Sequence, residues 1–454
     1  MDPHSLKFRV SPRIFKADEK CVVTIEGLDE STRLFDDLDY TLSVSSKDTW
    51  NYKDGSPCLL YDRDLTESFK VRSKGGIIKF EYFFRGETEW RIRLSCEDAS
   101  KHLSAFRLER WPYCLSYWKD GIEFKCYSLK EDLYGKKAFK GDFHIHTAGS
   151  DGKESAELTA ANYRKFGYDA ISVTDHYTLE PSLKLREYLK NIDTDFCVIP
   201  GEEIHQQIAA GSFHMISLDP KKSVNDMMRE DPEKCEAEIW ELTKDIPGAN
   251  KEDRYELAWY KWVYKKTKEA GGLSVYPHPF WDIIGGYNIR TKTSLAIMED
   301  GYCDAFEIMG GTCDKEANRR QAQLYYDVLS RGKTLPIIGA TDSHGSLKHG
   351  LYQFDQVWSV YLAERAEDLV HSVEENLVGV VDNYVPTSRN VYGPLRIVEY
   401  IWFLIENYYE KHDELCLAIG SAMQRYVYGD KSQAKLISML EDELRKYNEE
   451  FYGR

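Results

Sequence analysis

The chain has 454 residues and a mass of 52.7 kDa, enough for about two or three domains, and its 42% hydrophobic and 13% aromatic content can build a sizeable core. Lys and Arg number 60 against 76 Asp and Glu, and a formal net charge of −16 disfavours long nucleic acid or an anionic membrane as an obligate partner. The opening Met1-Asp2-Pro3-His4 lacks a basic region followed by an apolar run, no stretch reaches the ~18 apolar residues of a membrane span, and the ten cysteines include no C-x-x-C pair, which together predict a cytoplasmic chain with free thiols.

Residues 1–137 read as a β-domain. Cys21-Val22-Val23-Thr24-Ile25, Tyr40-Thr41-Leu42-Ser43-Val44 and Trp90-Arg91-Ile92-Arg93-Leu94 are β-branched or alternate between apolar and polar. Phe69-Lys70-Val71 and Ile77-Ile78-Lys79-Phe80 flank Gly75-Gly76, which predicts a hairpin. Short strands at this spacing suggest a β-sandwich. Trp50, Trp90, Trp111 and Trp118 read as core and edge aromatics, with a sugar-binding platform as the competing reading.

From 138 to 394 short apolar runs alternate with helical stretches. Phe143-His144-Ile145-His146 reads as a strand and 154–166 as a helix closed by Gly167. Further strands are expected at Ala170-Ile171-Ser172-Val173, Phe196-Cys197-Val198-Ile199, His214-Met215-Ile216-Ser217-Leu218, Leu273-Ser274-Val275-Tyr276, Ala305-Phe306-Glu307-Ile308 and Pro336-Ile337-Ile338-Gly339-Ala340. Such alternation predicts an α/β fold with a parallel sheet or barrel. Residues 221–270 are polar and mostly helical, an insertion able to serve as a lid, and 395–454 form a helical extension.

Six of the twelve histidines fall where apolar runs end. His144 and His146 stand two apart, so both imidazoles leave one face of a strand. Asp151 follows in a Gly-containing turn; His176 ends Thr174-Asp175-His176; Glu203 follows Pro200-Gly201-Glu202; His214 opens a strand; His278 sits in Pro277-His278-Pro279; Asp342 and His344 close the set. At the mouth of an α/β barrel these nine groups would converge, and crowded, desolvated carboxylates there require cations. Divalent metals meet that need, because imidazole suits zinc, manganese or iron while a carboxylate can bridge two ions.

His144-Ile145-His146 with Ser150-Asp151-Gly152, then Thr174-Asp175-His176, Pro200-Gly201-Glu202-Glu203, His214-Met215-Ile216, Pro277-His278-Pro279 and Asp342-Ser343-His344, resemble the successive motifs of the PHP family, the polymerase and histidinol phosphatase superfamily of metal-dependent phosphoesterases. The resemblance runs from about residue 141 to 384, half the chain. Leu133-Tyr134-Gly135 and Lys140-Gly141-Asp142, with the β-domain before them, are similar to the CehA/McbA branch, named for a carbaryl hydrolase. The resemblance implies a distorted (β/α)7 barrel holding two or three divalent ions (manganese, zinc or iron). By that analogy His144, His146, Glu203 and Asp342 hold the first; Asp151, His176 and His344 the second; His214 and His278, again with Glu203, the third. The family spacing Gly-x-Glu favours Glu203 over Glu202.

The implied reaction is phosphoesterase hydrolysis of a small phosphorylated metabolite or nucleotide, by in-line attack of a hydroxide bridging two ions. A carboxylic or carbamic ester at the same centre is the alternative, and a non-catalytic binding module the second. Asp175 is a candidate proton relay or partner to a ligand, His205 a second candidate relay, and Glu307 a candidate to reach the mouth. Arg319, Arg320 and Lys348 are candidate phosphate contacts, and Tyr276 and Trp281 candidate stacking partners; each also reads as an ordinary surface or core residue.

Overall fold

Period-two alternation builds the first of two compact units, residues Met1–Lys136 with Trp402–Glu410 and Leu444–Arg454. The computed structural model describes residues 7–47, 67–102, 116–208, 211–246, 250–283, 285–310, 314–346 and 354–454. Strands β1 (Phe8–Ser11), β2 (Ile14–Lys16), β3 (Glu19–Gly27), β4 (Tyr40–Ser46), β5 (Glu67–Val71), β6 (Ile77–Phe84), β7 (Thr88–Ser95) and β8 (Ile122–Leu129) form two sheets, ordered β1-β3-β6 and β2-β8-β7-β4-β5. Along β7, Trp90, Ile92 and Leu94 are buried while Arg91 and Arg93 are exposed. Val23 and Ile25 of one sheet share a core with Leu42 and Ile92 of the other.

The expected hairpin around Gly75-Gly76 shrinks to a tight turn closed by one antiparallel bridge, Lys74↔Ile77. β5 pairs with β4, and β6 with β3, so the two runs lie in different sheets. Both glycines adopt positive φ, and the Asp36 carboxylate accepts from their amides and from Ser73 Oγ, so the turn redirects the chain instead of closing a two-strand ladder. Trp90 and Trp118 are buried in the core and offer no platform, whereas Trp50 and Trp111 lie outside the described residues.

The second unit comprises Lys137–Ile401 and Lys411–Glu443. Its strands are β9 (Lys137–Ile145), β10 (Ala170–Val173), β11 (Cys197–Val198), β12 (Gly201–Ile208), β13 (Gly211–Leu218), β14 (Leu273–Tyr276), β15 (Asp282–Ile283), β16 (Gly286–Tyr287), β17 (Ala305–Met309), β18 (Ile337–Gly339), β19 (Val357–Ala363), β20 (Val378–Asp382) and β21 (Asn390–Tyr392). One sheet is ordered β11-β10-β9-β19-β20-β21 and another β12-β13-β14-β17-β18. β10, β14, β17 and β18 are buried along their whole length, which is why they read as unbroken apolar runs. Both sheets are mixed: β9–β10 and β14–β17 are parallel, whereas β9–β19, β12–β13 and β13–β14 are antiparallel. Parallel bridges His176↔Glu203 and Ile145↔Ser343 couple the ends of the two sheets.

Ser155 caps the helix Ala156–Lys165 by accepting from Leu158 N, and Gly167 turns the chain at positive φ toward β10. The polar segment 221–270 folds as helices Val224–Glu230, Pro232–Leu242 and Lys251–Glu269. The last of these buries Trp259, Tyr260, Trp262 and Val263 in the core under β13 and β14. It is a structural element of the unit, whose many charges hide its apolar stripe from a composition count. No helix among the described residues is long and apolar enough to cross a membrane.

Buried charge fastens the later helices. Arg164 donates to Glu441 Oε2 at 2.8 Å and to Asp169 Oδ1 at 2.9 Å, while Thr194 Oγ1 donates to the other Glu441 oxygen. Removing one member of a buried pair strands the other. Arg164→Met is expected to lower stability by about 3–5 kcal/mol, and Glu441→Leu added to it should restore part of that loss. Urea midpoints of the two variants test this; a single variant as stable as the parent would contradict it.

Candidate metal centre

β9 delivers His144 and, one step beyond its end, His146, with Asp142 on the same face. Asp142 accepts from Thr341 N and Thr341 Oγ1, from Tyr163 OH and from His144 N, which ties the end of β18 to β9. Burial pushes its carboxyl up to about 7 despite those donors. Asp175 makes the matching clamp after β10. Its Oδ1 accepts from Thr147 N at 2.8 Å and Ser150 Oγ at 2.6 Å, and its Oδ2 from Thr147 Oγ1 at 2.6 Å. Gly149 is required here, since a Cβ would stand 2.6 Å from Asp175 Oδ2. Asp175 thus acts on the turn that carries Asp151, to which its carboxylate's hydrogen-bond donors Thr147 and Ser150 belong.

The nine residues singled out in the sequence come together. Glu203 is the centre. Its Oε1 lies 2.9 Å from His214 Nδ1, 3.3 Å from His278 Nε2 and 3.5 Å from His144 Nε2. Its Oε2 lies 2.9 Å from His176 Nδ1 and 3.2 Å from His146 Nε2. Asp342 Oδ1 approaches His146 Nε2 at 3.1 Å and His144 Nε2 at 3.3 Å. His344 Nε2 lies 3.2 Å from Asp151 Oδ2. Potential ligand atoms within 4.8 Å of one another form three overlapping groups here: His146, Asp151, His176 and His344; His144, His146 and Asp342; His144, Glu203 and His278. His146 belongs to two of them, because its ring nitrogens face different carboxylates. Period two turns Glu202 away, to accept from Ser223 Oγ, Val224 N and Asn225 Nδ2 at a helix start.

The donor set suits cations larger than protons. His144 donates from Nδ1 to Glu307 Oε2 at 2.7 Å, which leaves the Nε2 lone pair facing Glu203 and Asp342. His144 Nε2 and His146 Nε2 stand only 3.3 Å apart, so protonating both would set two N–H groups against each other. His176 Nδ1 and Glu203 Oε2 are 2.9 Å apart but not aligned for a hydrogen bond, and each is a buried polar atom without one among the described residues. Burial raises Glu203, but His214, His176 and His144 outweigh it and hold the carboxylate well below its usual range. Asp342 and Asp151 are likewise low, burial being overcome by neighbouring histidines. His146 rises to about 9, its desolvation outweighed by Asp342 and Glu203. Among the described residues, three of the seven non-glycine positions with positive φ cluster here: Tyr177, His278 and Asp342. Such strain is sustained where surrounding contacts over-determine the backbone.

A cavity of about 730 Å³ opens over the centre between Asp151, His176, His214 and Trp281. His205, two residues beyond Glu203, also lines it; burial lowers its imidazole to about 3, helped by His214 and His176. Trp281 reaches the mouth, whereas Tyr276 is buried with its hydroxyl 2.8 Å from Ser294 Oγ. Arg320 pairs with Glu316 and lines a separate pocket beside Tyr287, and Lys348 lies outside the described residues. Among the described residues, the cation lining this cavity is Arg229, from the segment read as an insertion. Arg229 carried no signal beyond residue type, whereas Asp142 stood in the Lys140-Gly141-Asp142 motif and shares the i, i+2 face of His144 without having been singled out as a site residue.

No protein-family profile matches the chain, and no curated protein does. Solved structures similar to it include a two-domain protein from Bacteroides vulgatus containing a predicted PHP-like metal-dependent phosphoesterase, at 18% identity and TM-score 0.38, over 55% of this chain and 66% of that one. A candidate metal-dependent phosphoesterase from Bifidobacterium adolescentis is similar at 19% identity and TM-score 0.34, over 47% of this chain and 93% of that one. An amidohydrolase from Chromobacterium violaceum with bound sulfate follows at 14% identity and TM-score 0.32, over 45% of this chain and 87% of that one. At such scores the functional reading rests on the side chains themselves.

Glu307 sets the tautomer and ring angle of His144, and Gly310 makes room for it, since a Cβ there would overlap Glu307 Oε1. Glu307→Leu should weaken divalent-ion binding about 10–100-fold, and Glu307→Gln, which can still accept the Nδ1 proton, much less. Calorimetric titration with manganese or zinc measures both, and equal losses would remove the orienting role.

Proposed function

We propose that the chain is a PHP-superfamily hydrolase that uses two or three divalent ions to cleave a phosphate ester of a small molecule. The observation that carries this is the Glu203 carboxylate, each of whose oxygens faces a different set of buried imidazoles. In this reading the second unit is a distorted (β/α)7 barrel, supported by the bridges at its sheet ends, with a β-sandwich before it and a helical extension from about residue 395.

His144, His146, Glu203 and Asp342 would hold one ion; Asp151, His176 and His344 a second; His214 and His278, with Glu203, a third. When bound, such ions supply Lewis-acid activation of water and charge stabilisation at the phosphoryl oxygens. The chain supplies the rest. Glu307 holds His144 with Nε2 toward the carboxylates. Asp142 and Asp175 anchor the loops of Asp342 and Asp151, so neither carboxylate must reorganise during the reaction. His205, kept neutral, offers a hydrogen-bonding nitrogen at the mouth without adding positive charge. Arg229 brings a guanidinium to the same rim.

Elemental mass spectrometry on protein purified without chelator should find two or three equivalents of manganese, iron or zinc. Phosphate monoesters should then turn over, and Glu203→Gln should lose roughly a thousand-fold in kcat/KM together with bound metal. Less than one equivalent after soaking in those ions would overturn the proposal. Turnover of aryl carboxylic or carbamic esters alone would keep the centre and discard the phosphoesterase.

A further inference from the structure

A second chamber adjoins the mouth. It measures about 580 Å³ and shares Tyr177, His205 and Arg229 with the cavity over the centre. Its far wall comes from the helices Val224–Glu230 and Pro232–Leu242, which present Met228, Pro232, Cys235 and Ile239 with Glu233 and Glu236. That size is within the range of small-molecule sites, and a largely apolar lining with few polar groups is their usual character.

Tyr177 stands at the join. It follows His176 directly, is held at φ +64° and is 44% exposed, an unfavourable state for a large aromatic on both counts. Its ring stacks on the His205 imidazole, with centroids 4.9 Å apart and planes 11° from parallel. Arg229 donates to the Tyr177 carbonyl oxygen and pairs with Asp226 at 2.7 Å, fastening the strained residue to the chamber wall. Both Glu236 oxygens are occupied, accepting from Trp240 Nε1 and Tyr255 OH. The chamber therefore offers aromatic and apolar surface, and beyond the shared Arg229 its charged lining is Glu233 and Glu236, which disfavour a second anionic group.

Resting on the phosphoesterase reading, we propose that this chamber is the leaving-group subsite of the centre: it takes the uncharged, planar aromatic part of a phosphate monoester, stacked against Tyr177, while the phosphate lies over the histidine cluster. Hydrolysis breaks the bond between phosphorus and the alcohol oxygen; water provides the new bond to phosphorus and the proton that the departing alcohol gains. The segment 221–242 is thus a specificity wall, and Met228, Tyr177 and Cys235 select the leaving group.

The test uses the full-length, metal-loaded protein with 1-naphthyl phosphate, methyl phosphate and free 1-naphthol. Met228→Trp fills the chamber from a half-buried helix position, and Tyr177→Gly removes the ring while relieving the positive φ. Met228→Trp should raise KM for 1-naphthyl phosphate about tenfold relative to methyl phosphate, with little change in the kcat ratio. Saturation-transfer NMR should show 1-naphthol on the parent and a weaker signal on both variants. Equal KM changes for the two phosphates, or an unchanged naphthol signal in both variants, would overturn the subsite. If the parent cleaves neither phosphate yet binds 1-naphthol in a way Met228→Trp abolishes, the aromatic subsite stands and the phosphoesterase reading alone falls.

Discussion

One buried carboxylate organises the second unit's functional end. Glu203 has no room to hydrogen-bond all five imidazoles that surround it, and the imidazoles have no room to protonate toward one another. Lone pairs and carboxylates packed at this density make a group of donors suited to a cation. The parallel bridge His176↔Glu203 and the antiparallel ladder β12–β13 hold the carboxylate, so the sheets themselves fix the spacing of the donors.

Around that centre the fold repeats one device. Asp142 grips Thr341 through its amide and hydroxyl, and Asp175 grips Thr147 in the same way. Each threonine adjoins a member of the cluster, Asp342 in the first case and His146 in the second. A carboxylate that satisfies a backbone N–H and a hydroxyl at once sets both the position and the orientation of a loop. Positive φ at Asp342 and His278 shows the loops bent into conformations they would not adopt alone. Asp175 belongs to this supporting layer, holding the turn between His146 and Asp151.

The strand-end histidines and acids were legible because their chemistry is concentrated and their spacing local: His144 and His146 share a face by period two, and Glu203 and Glu202 oppose each other by the same rule. Other features were not legible for equally physical reasons. Gly75-Gly76 between two apolar runs carries a hairpin signal, but strand partners are chosen by side-chain burial across whole sheets, and β5 and β6 found theirs elsewhere. Residues 221–270 are so rich in charge that their buried face, Trp259 and Trp262 above all, is lost in the average.

By itself, then, the sequence determined which side chains of ligand type stand at the strand ends, since donor type and local periodicity need no knowledge of long-range contacts. It determined the strands too, wherever burial on both faces left an unbroken apolar run. Tertiary structure alone decided what those residues meet. The pairing of Glu307 with His144 spans 163 positions and that of Asp142 with Thr341 spans 199. The choice of Arg229 as the cation at the mouth likewise comes from the helix path over the sheet and the strained backbone of Tyr177. Contacts between distant positions depend on the packing of whole elements, and no local pattern encodes them.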